Sequence, residues 1–317
     1  MSNLVSRRQF LGTSAAAGVA ATTAPLAIPA AERSDKAFRF GFSLNAGTIR
    51  GQKLALREQV LTAAKAGFTG FEPWTNDISK FLETGGSLKE LRQVGQDSGV
   101  QIISAIGFAA WIVNEDDARA KGVETLKREM DWVSQLGGKN IAAPPAGATK
   151  AGYVLDLNQA AERYRAILEL GHEFGIRPML EIWGSSANLN RLPEAIYVAA
   201  KTAHPDACIL ADVYHLYKGG SDPAVLRLLG RNATPIFHLN DYPANPPRET
   251  IKDSDRIWPG DGVAPLKQLL TNLADNHCDV MLSLELFNQE YYKLPALEAA
   301  KTGLSKMKAA VAAAGLS

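Results

Sequence analysis

Eight short apolar runs alternate with longer segments of helical periodicity, and this alternation restricts the possible folds of the chain more than any other feature. The runs span residues 38–44, 69–73, 100–106, 140–143, 178–182, 208–213, 235–240 and 280–286. Between them, apolar residues such as Leu126, Met130 and Val133 recur three and four positions apart, which is the spacing of one helix face. Eight strand–helix repeats over about 285 residues predict an α/β fold, a single (β/α)₈ TIM barrel of ordinary size.

A doubly wound open sheet is the main alternative for such an alternation. That fold usually carries a glycine-rich phosphate loop directly after its first strand. Here the first run ends in Leu-Asn-Ala-Gly at residues 44–47, without a Gly-x-Gly-x-x-Gly pattern. The longest irregular stretch, residues 241–262, follows the seventh run and has the length of a functional loop. Because no Pro/Gly/Ser-rich linker interrupts residues 38–312, one barrel domain is predicted there.

The first 31 residues differ from the rest and are predicted to be a cleavable signal segment. Residues 6–11 read Ser-Arg-Arg-Gln-Phe-Leu and precede an Ala/Gly/Thr-rich apolar stretch. An arginine pair in this position resembles a twin-arginine (Tat) export signal, although Gly12 stands where that signal usually has lysine. The resemblance implies a periplasmic location, and the alternative is a disordered or weakly helical tail. The stretch is too short and glycine-rich for a strong transmembrane helix, so no stable membrane insertion is expected, although retention as an anchor stays open.

Charge and cysteine content set further limits. The chain has 317 residues with 34 Lys+Arg and 33 Asp+Glu, a formal net charge of +1. Domains that bind a nucleic-acid backbone usually have a basic excess, so no nucleic-acid partner is expected. Cys208 and Cys278 lie near the starts of runs six and eight, with run seven between them, and a disulfide is therefore not expected.

Four side chains that can bind metal ions or transfer protons stand late in the last four runs. They are Glu181, Asp212, His238 and Glu285. A buried charge must be paired or bound to a metal, and the C-terminal strand ends of a barrel face its active site. Each residue has an ordinary alternative, such as a helix cap for Asp212 or core packing for His238. Together they predict a divalent-metal site whose oxygen-rich ligation suits Mn²⁺ first, and also Mg²⁺ or Co²⁺.

The motifs around these residues resemble those of the xylose isomerase-like TIM-barrel superfamily. Glu-Ile-Trp, Asp-Val-Tyr-His-Leu, His-Leu-Asn-Asp and Leu-Glu-Leu-Phe follow one another in that order. Within the superfamily, residues 38–312 are similar to hydroxypyruvate isomerase-like and ketose 3-epimerase-like sugar isomerases. The resemblance implies that the four residues named above bind the metal. It also implies that Glu181 and Glu285 are catalytic and transfer protons.

Two further positions match that family and imply contacts with substrate. His215 follows Asp212 by three residues, and Arg256 lies in the irregular stretch after the seventh run. In relatives, a histidine and an arginine so placed contact substrate oxygens near the metal. An arginine fork suits a carbonyl or carboxylate, because it donates two parallel hydrogen bonds. The alternatives are packing at a helix start for His215 and a solvated loop charge for Arg256.

Three more residues are candidates for substrate binding. Glu72 ends the second run and is expected either to hydrogen-bond a sugar hydroxyl or to anchor a neighbouring site residue. Trp183 would offer an aromatic wall to the apolar face of a sugar, with core packing as the alternative. Lys218 adjoins the Gly219-Gly220 pair and would lie on a mobile loop beside His215.

These features predict a divalent-metal-dependent isomerase or epimerase acting on a sugar or small hydroxy-ketone. A carboxylate removes the proton next to a carbonyl, the cation stabilises the enediolate, and a carboxylate returns the proton. The nearest alternative is a lyase or dehydratase acting on a 3-keto-glycoside or inosose-like substrate. A non-catalytic sugar-binding barrel is the lower-ranked alternative, and a homo-oligomer is compatible with these features.

Overall fold

The computed structural model describes residues 40–276 and 279–316, and in these ranges eight strands alternate with nine α-helices. The strands are β1 (Gly41–Asn45), β2 (Gly70–Glu72), β3 (Gln101–Ile102), β4 (Asn140–Ala143), β5 (Arg177–Glu181), β6 (Ile209–Asp212), β7 (Ile236–Leu239) and β8 (Met281–Leu284). The helices are α1 (Leu56–Ala66), α2 (Thr75–Glu83), α3 (Leu88–Asp97), α4 (Asp116–Leu136), α5 (Leu157–Phe174), α6 (Leu192–Lys201), α7 (Val213–Gly219), α8 (Leu266–Asp275) and α9 (Ala296–Ala313).

Strand pairing closes the sheet into a barrel. The strands follow the order β3-β2-β1-β8-β7-β6-β5-β4, and all the paired strands are parallel. Between β3 and β4, the amide of Ala142 donates to the carbonyl of Ala105 at 2.9 Å, which joins the two ends of this order. The predicted (β/α)₈ TIM barrel is confirmed, and each of the eight apolar runs overlaps one strand.

Glycine ends several of the helices, and two examples show how it returns the chain to the next strand. Gly67 follows α1 with φ 97°, and its amide donates to the carbonyls of Ala63 and Ala64. Gly175 follows α5 with φ 63° and donates to two carbonyls of the last turn in the same way. A side chain would strain the left-handed backbone at both positions, which is why glycine is the residue found there.

The period of two along each strand places the functional side chains inside the barrel. Met179, Leu210 and Ile236 belong to one buried apolar cluster that fills the barrel interior. Residues two positions apart point to the same face of a strand. Glu181, Asp212 and His238 follow these three apolar residues by two positions, so they form the next interior layer, nearer the C-terminal ends of the strands.

The predicted signal segment, residues 1–31, lies outside the described residues, and so does Cys278. Cys208 is buried and has a free thiol. In the described ranges, no helix combines the length and the apolar character that a bilayer span needs.

Candidate active site

The last four strands carry one buried ionisable residue each at their C-terminal ends. Glu181 and Asp212 are the last residues of β5 and β6, His238 is the third of four residues in β7, and Glu285 directly follows β8. All four side chains are buried. Because all four side chains are buried, each of their charges needs a partner nearby.

Three of the four predicted ligands converge on one point. Single ligand atoms of Asp212, His238 and Glu285 all lie within 4.8 Å of one another. The Nδ1 atom of His238 lies 3.2 Å from a Glu285 oxygen and 3.9 Å from an Asp212 oxygen. This Nδ1 is buried and makes no hydrogen bond. A buried imidazole nitrogen that faces two carboxylates fits a divalent cation, so the donor set suits a divalent metal site.

Glu181 lies on the wall of the same cavity but outside this group of three. Its Oε2 atom is buried without a hydrogen-bond partner. Burial raises the pKa of Glu181 to about 8, against the opposing influence of His238. This carboxyl oxygen on the cavity wall is therefore available to a ligand, to substrate or to a proton.

Glu72 lies behind His238 and holds its ring. Its Oε2 lies 3.1 Å from His238 Nε2 and also accepts a hydrogen bond from the hydroxyl of Ser283. Glu72 is fully buried and does not line the cavity, so it takes the anchoring position rather than the substrate-contacting one. Burial acts to lower the pKa of His238, but the carboxylates of Glu285 and Glu72 together raise it well above its usual range.

Exchanging Glu72 for glutamine is expected to weaken Mn²⁺ binding by about 10- to 100-fold, the usual effect of losing a carboxylate that orients a metal-binding histidine. The reason is that Glu72 fixes the His238 ring with Nδ1 toward Asp212 and Glu285. A calorimetric titration of the metal-free protein with Mn²⁺ measures the change in affinity. Glu58→Gln, on the exposed surface of α1, is the matched control. Equal Mn²⁺ affinity in the Glu72→Gln and Glu58→Gln variants would contradict the assignment.

Arg256 brings a buried positive charge to the cluster from the loop after β7. One guanidinium nitrogen donates to Asp212 at 3.0 Å and to Glu285 at 2.9 Å. The other contacts His215 Nε2 at 3.1 Å and donates to Asp253. Burial acts to lower the pKa of Arg256, but the three carboxylates outweigh this effect and raise the pKa above its usual value. Residues 241–262, predicted to be a functional loop, therefore place the fully buried guanidinium of Arg256 in the site.

His215 and Asp212 are coupled through the start of α7. Asp212 caps this helix, because its Oδ1 accepts from the amide of His215 at 2.8 Å. The helix-cap alternative and the ligand prediction for Asp212 are thus compatible, since Oδ2 faces His238. His215 lines the cavity, and burial, together with Arg256, lowers its pKa.

Above the cluster lies a cavity of about 470 Å³ with an aromatic wall. It is lined by Arg50, Trp74, Ile106, Phe108, Thr149, Glu181, Trp183, Ser185, Ser186, His215, Asp253, Arg256, Glu285 and Phe287. Ring centroids of Phe108 lie 5.0 Å from Trp74 and 6.0 Å from Trp183. Trp183 is therefore in the wall, as expected of an aromatic platform. The cavity has the size and the mixed lining of a small-molecule site.

Lys218, predicted to bind substrate, lies outside the cavity. Its ammonium donates to the carbonyls of Arg248, Glu249 and Ile251 at 2.9–3.0 Å and does not line the cavity. These three bonds satisfy all the donors of the ammonium group. The lysine therefore ties α7 to the loop that carries Arg256, instead of reaching toward substrate.

Sequence reasoning missed several cavity residues, among them Arg50, Phe108 and Phe287. Each lies in a segment that follows a strand, and barrel active sites are built from these segments. That rule could have drawn attention to Arg50, which comes five residues after the end of β1. It does not say which side chain of such a segment turns inward.

Known proteins are similar to this chain in sequence and in fold. A family model described as "Xylose isomerase-like TIM barrel" matches residues 60–310. An inosose isomerase of Halalkalibacterium halodurans is 26% identical over 68% of this chain and 77% of that protein. A 3-dehydroshikimate dehydratase of Pseudomonas putida is 23% identical over 80% of this chain and 39% of that protein. A crystal structure of IOLI protein with a bound zinc atom superimposes with a TM-score of 0.79 at 21% identity, over 86% of this chain and 99% of that one.

Proposed function

Because this chain belongs to the xylose isomerase-like TIM barrel family, we propose that it is a divalent-metal-dependent isomerase or epimerase of a sugar or small hydroxy-ketone. The observation that carries the proposal is the convergence of Asp212, His238 and Glu285 near Glu181, which has one buried carboxyl oxygen without a partner. Binding a neutral sugar needs no such set of buried ionisable groups, whereas proton transfer next to a carbonyl does. The likeness to inosose isomerases supports a polyhydroxy-ketone as substrate.

In this proposal, Asp212, His238 and Glu285 hold the cation. A bound divalent ion supplies Lewis-acid stabilisation of the negative charge that develops on the substrate carbonyl oxygen. Mn²⁺, Mg²⁺ and Co²⁺ suit the carboxylate-rich donor set. Zinc is a further candidate, because the IOLI protein, whose fold is similar, binds a zinc atom.

Glu181 and Glu285 move the proton. Both carboxyl groups line the cavity, so either can reach the carbon next to a bound carbonyl. One removes the proton, and the same or the other group returns it. Return to the neighbouring carbon gives an isomer, and return to the opposite face gives an epimer. Arg256 and His215 orient the substrate oxygens, while Trp74, Phe108 and Trp183 form the apolar wall that excludes water.

A dehydratase is the second candidate, favoured by the likeness to 3-dehydroshikimate dehydratases. The first step, removal of a proton next to a carbonyl by Glu181 or Glu285, is the same in both reactions. The second step differs, because a hydroxyl group leaves from the β carbon with its bonding pair and takes up a proton as water. The products therefore distinguish the two candidates.

Deuterium incorporation from heavy water tests the proposed function. Mn²⁺-loaded protein would be incubated with inososes, free ketoses, aldoses and 3-keto-glycosides and followed by NMR, with EDTA-treated protein as control. We expect label at a carbon next to the carbonyl of at least one substrate, absent after EDTA treatment. The product identifies isomerisation, epimerisation or dehydration. Binding of Mn²⁺ without exchange on any of these substrates would refute the proton-transfer assignment.

A further inference from the structure

Arg50 places a second positive charge on the wall of the cavity. It lies in the short 3₁₀ turn Ala46–Gln52 that follows β1, on the side of the cavity formed by Trp74. Within residues 40–276 and 279–316, no carboxylate forms an ion pair with it, and its guanidinium makes no hydrogen bond. The side chain is exposed at the mouth of the cavity.

We propose that Arg50 binds a carboxylate of the substrate, so that the preferred substrates are polyhydroxy-ketones that also carry a carboxylate. This inference rests on the proposed function and narrows its substrate class. Arg50 is then a specificity-determining residue that acts on a part of the substrate other than the reacting carbonyl.

Stacking on Trp74 holds the guanidinium in a position to do this. The Cζ atom of Arg50 lies 3.9 Å from the centroid of the Trp74 ring. The indole is itself held, because its Nε1 donates to Asn45 Oδ1 at 3.3 Å. Stacking occupies one face of the guanidinium and leaves its in-plane N–H groups free. Those groups match the two oxygens of a carboxylate in a bidentate pair.

The charges around the cavity differ between its two ends. At the inner end, Asp212, Glu285 and Asp253 compensate Arg256. At the outer end, Arg50 has no such compensation in the described part of the chain. A bound substrate would displace water from this cation, and an anionic group on the substrate would replace the lost solvation. A neutral end group would not.

A carboxylate fits better than a phosphate group. The described lining contains no lysine, and its other arginine, Arg256, is already paired with three carboxylates. A phosphate carries close to two negative charges and three acceptor oxygens at neutral pH. One uncompensated arginine matches the single charge and planar shape of a carboxylate.

Arg256, at the inner end, and Arg50, at the outer end, line the same cavity. Phe287 lies between them, with its ring centroid 5.0 Å from Arg256 Cζ and 6.1 Å from the Trp74 centroid. A carbonyl at the inner end and a carboxylate at Arg50 would thus span the aromatic wall. The volume of about 470 Å³ accommodates a six-carbon keto acid.

Binding of three probes that differ at one carbon tests the assignment. D-Fructuronate, D-fructose and D-fructose 6-phosphate would be titrated into the Mn²⁺-loaded full-length protein by calorimetry. The variants are Arg50→Gln, Arg50→Lys and Arg128→Gln. Arg128 is the matched control, because its guanidinium also lies over a tryptophan, Trp132, but outside the cavity.

We expect the wild type and Arg128→Gln to prefer D-fructuronate over D-fructose by about 10- to 100-fold, the usual range for a hydrogen bond to a charged group. In Arg50→Gln this preference should fall close to one, and Arg50→Lys should keep part of it. No preference in the wild type, an unchanged preference in Arg50→Gln, undetectable binding of D-fructuronate, or a larger Arg50-dependent gain for the phosphate would each overturn the inference.

Deuterium exchange in the same samples reports on the proposed function independently. Exchange on neutral sugars without any Arg50-dependent preference would leave the function standing and refute the carboxylate site. An Arg50-dependent preference without exchange would support the carboxylate site and refute the proton-transfer function, because binding requires no proton transfer.

Discussion

Replacing Arg256 by methionine is expected to destabilise the metal-free protein by about 3–5 kcal/mol, the typical result of removing one partner from a buried ion pair. Methionine keeps much of the apolar stem but removes the charge that faces Asp212 and Glu285 at 3.0 and 2.9 Å. Two buried carboxylates would then lie near each other without a counter-charge. Urea unfolding in the presence of EDTA measures the loss of free energy of unfolding.

Adding Mn²⁺ is expected to recover part of this loss, because a cation that binds only the folded protein stabilises it and would restore positive charge beside the same carboxylates. Arg248→Met is the matched control on the same loop. Its side chain is 50% exposed and lies 3.8 Å from the exposed Glu249, so its effect should stay within about 0.5 kcal/mol. Equal losses in the two variants would show that the loop, rather than the buried charge, determines stability.

The barrel could be predicted from the sequence because its two periodicities are local. The sequence predicts strand β4 at residues 140–143, and the strand forms at Asn140–Ala143. A short apolar run between two helical patterns is typical of a buried strand. The long irregular stretch was also visible, because 22 residues in succession lack either period. The observed strands are mostly shorter than the predicted runs, since apolar residues continue past the last ladder hydrogen bond. Strand β3, for example, covers only Gln101–Ile102 of the run at 100–106.

The inner layer of the site was predictable for the same reason. Asp212 and His238 end or nearly end their strands, and strand order alone brings them together at one end of a barrel. The partners of these residues were harder to foresee. The contact between Glu72 and His238 joins residues 166 positions apart on strands that are not paired with each other. Only the closed interior of the barrel brings them within hydrogen-bond distance.

Side chains on loops were the least predictable part of the site. Lys218 and Arg256 are both long cations near the same loop, yet one holds three backbone carbonyls and the other enters the cluster. Nothing in their neighbouring residues distinguishes these outcomes, because they depend on how the loop after β7 folds back over α7. The same holds for Arg50, whose position over Trp74 joins the segments after β1 and β2.

Glu181→Gln and Glu285→Gln are each expected to reduce proton exchange by about 10²- to 10⁴-fold, the usual contribution of a general acid or base. Glutamine keeps the size and polarity of the side chain but cannot accept the substrate proton. Exchange rates in heavy water on the best substrate, compared with those of Glu290→Gln, measure the loss. Glu290 is an exposed glutamate paired with Lys293, so its substitution should leave the rate unchanged.

Mn²⁺ affinity should separate the two glutamates, because only Glu285 belongs to the group of three ligand atoms. Glu285→Gln removes a carboxylate that lies 3.2 Å from His238 Nδ1 and 2.9 Å from Arg256, so it should lose metal affinity together with exchange. Glu181 has a buried oxygen without a partner and lies outside that group. Glu181→Gln should therefore lose exchange but keep its Mn²⁺ affinity within about tenfold of the wild type. That loss is smaller than the loss caused by most substitutions around a metal site. Equal loss of Mn²⁺ in both variants would instead make Glu181 a fourth ligand. Proton transfer in the metal-loaded protein would then depend on a carboxylate that also binds the metal.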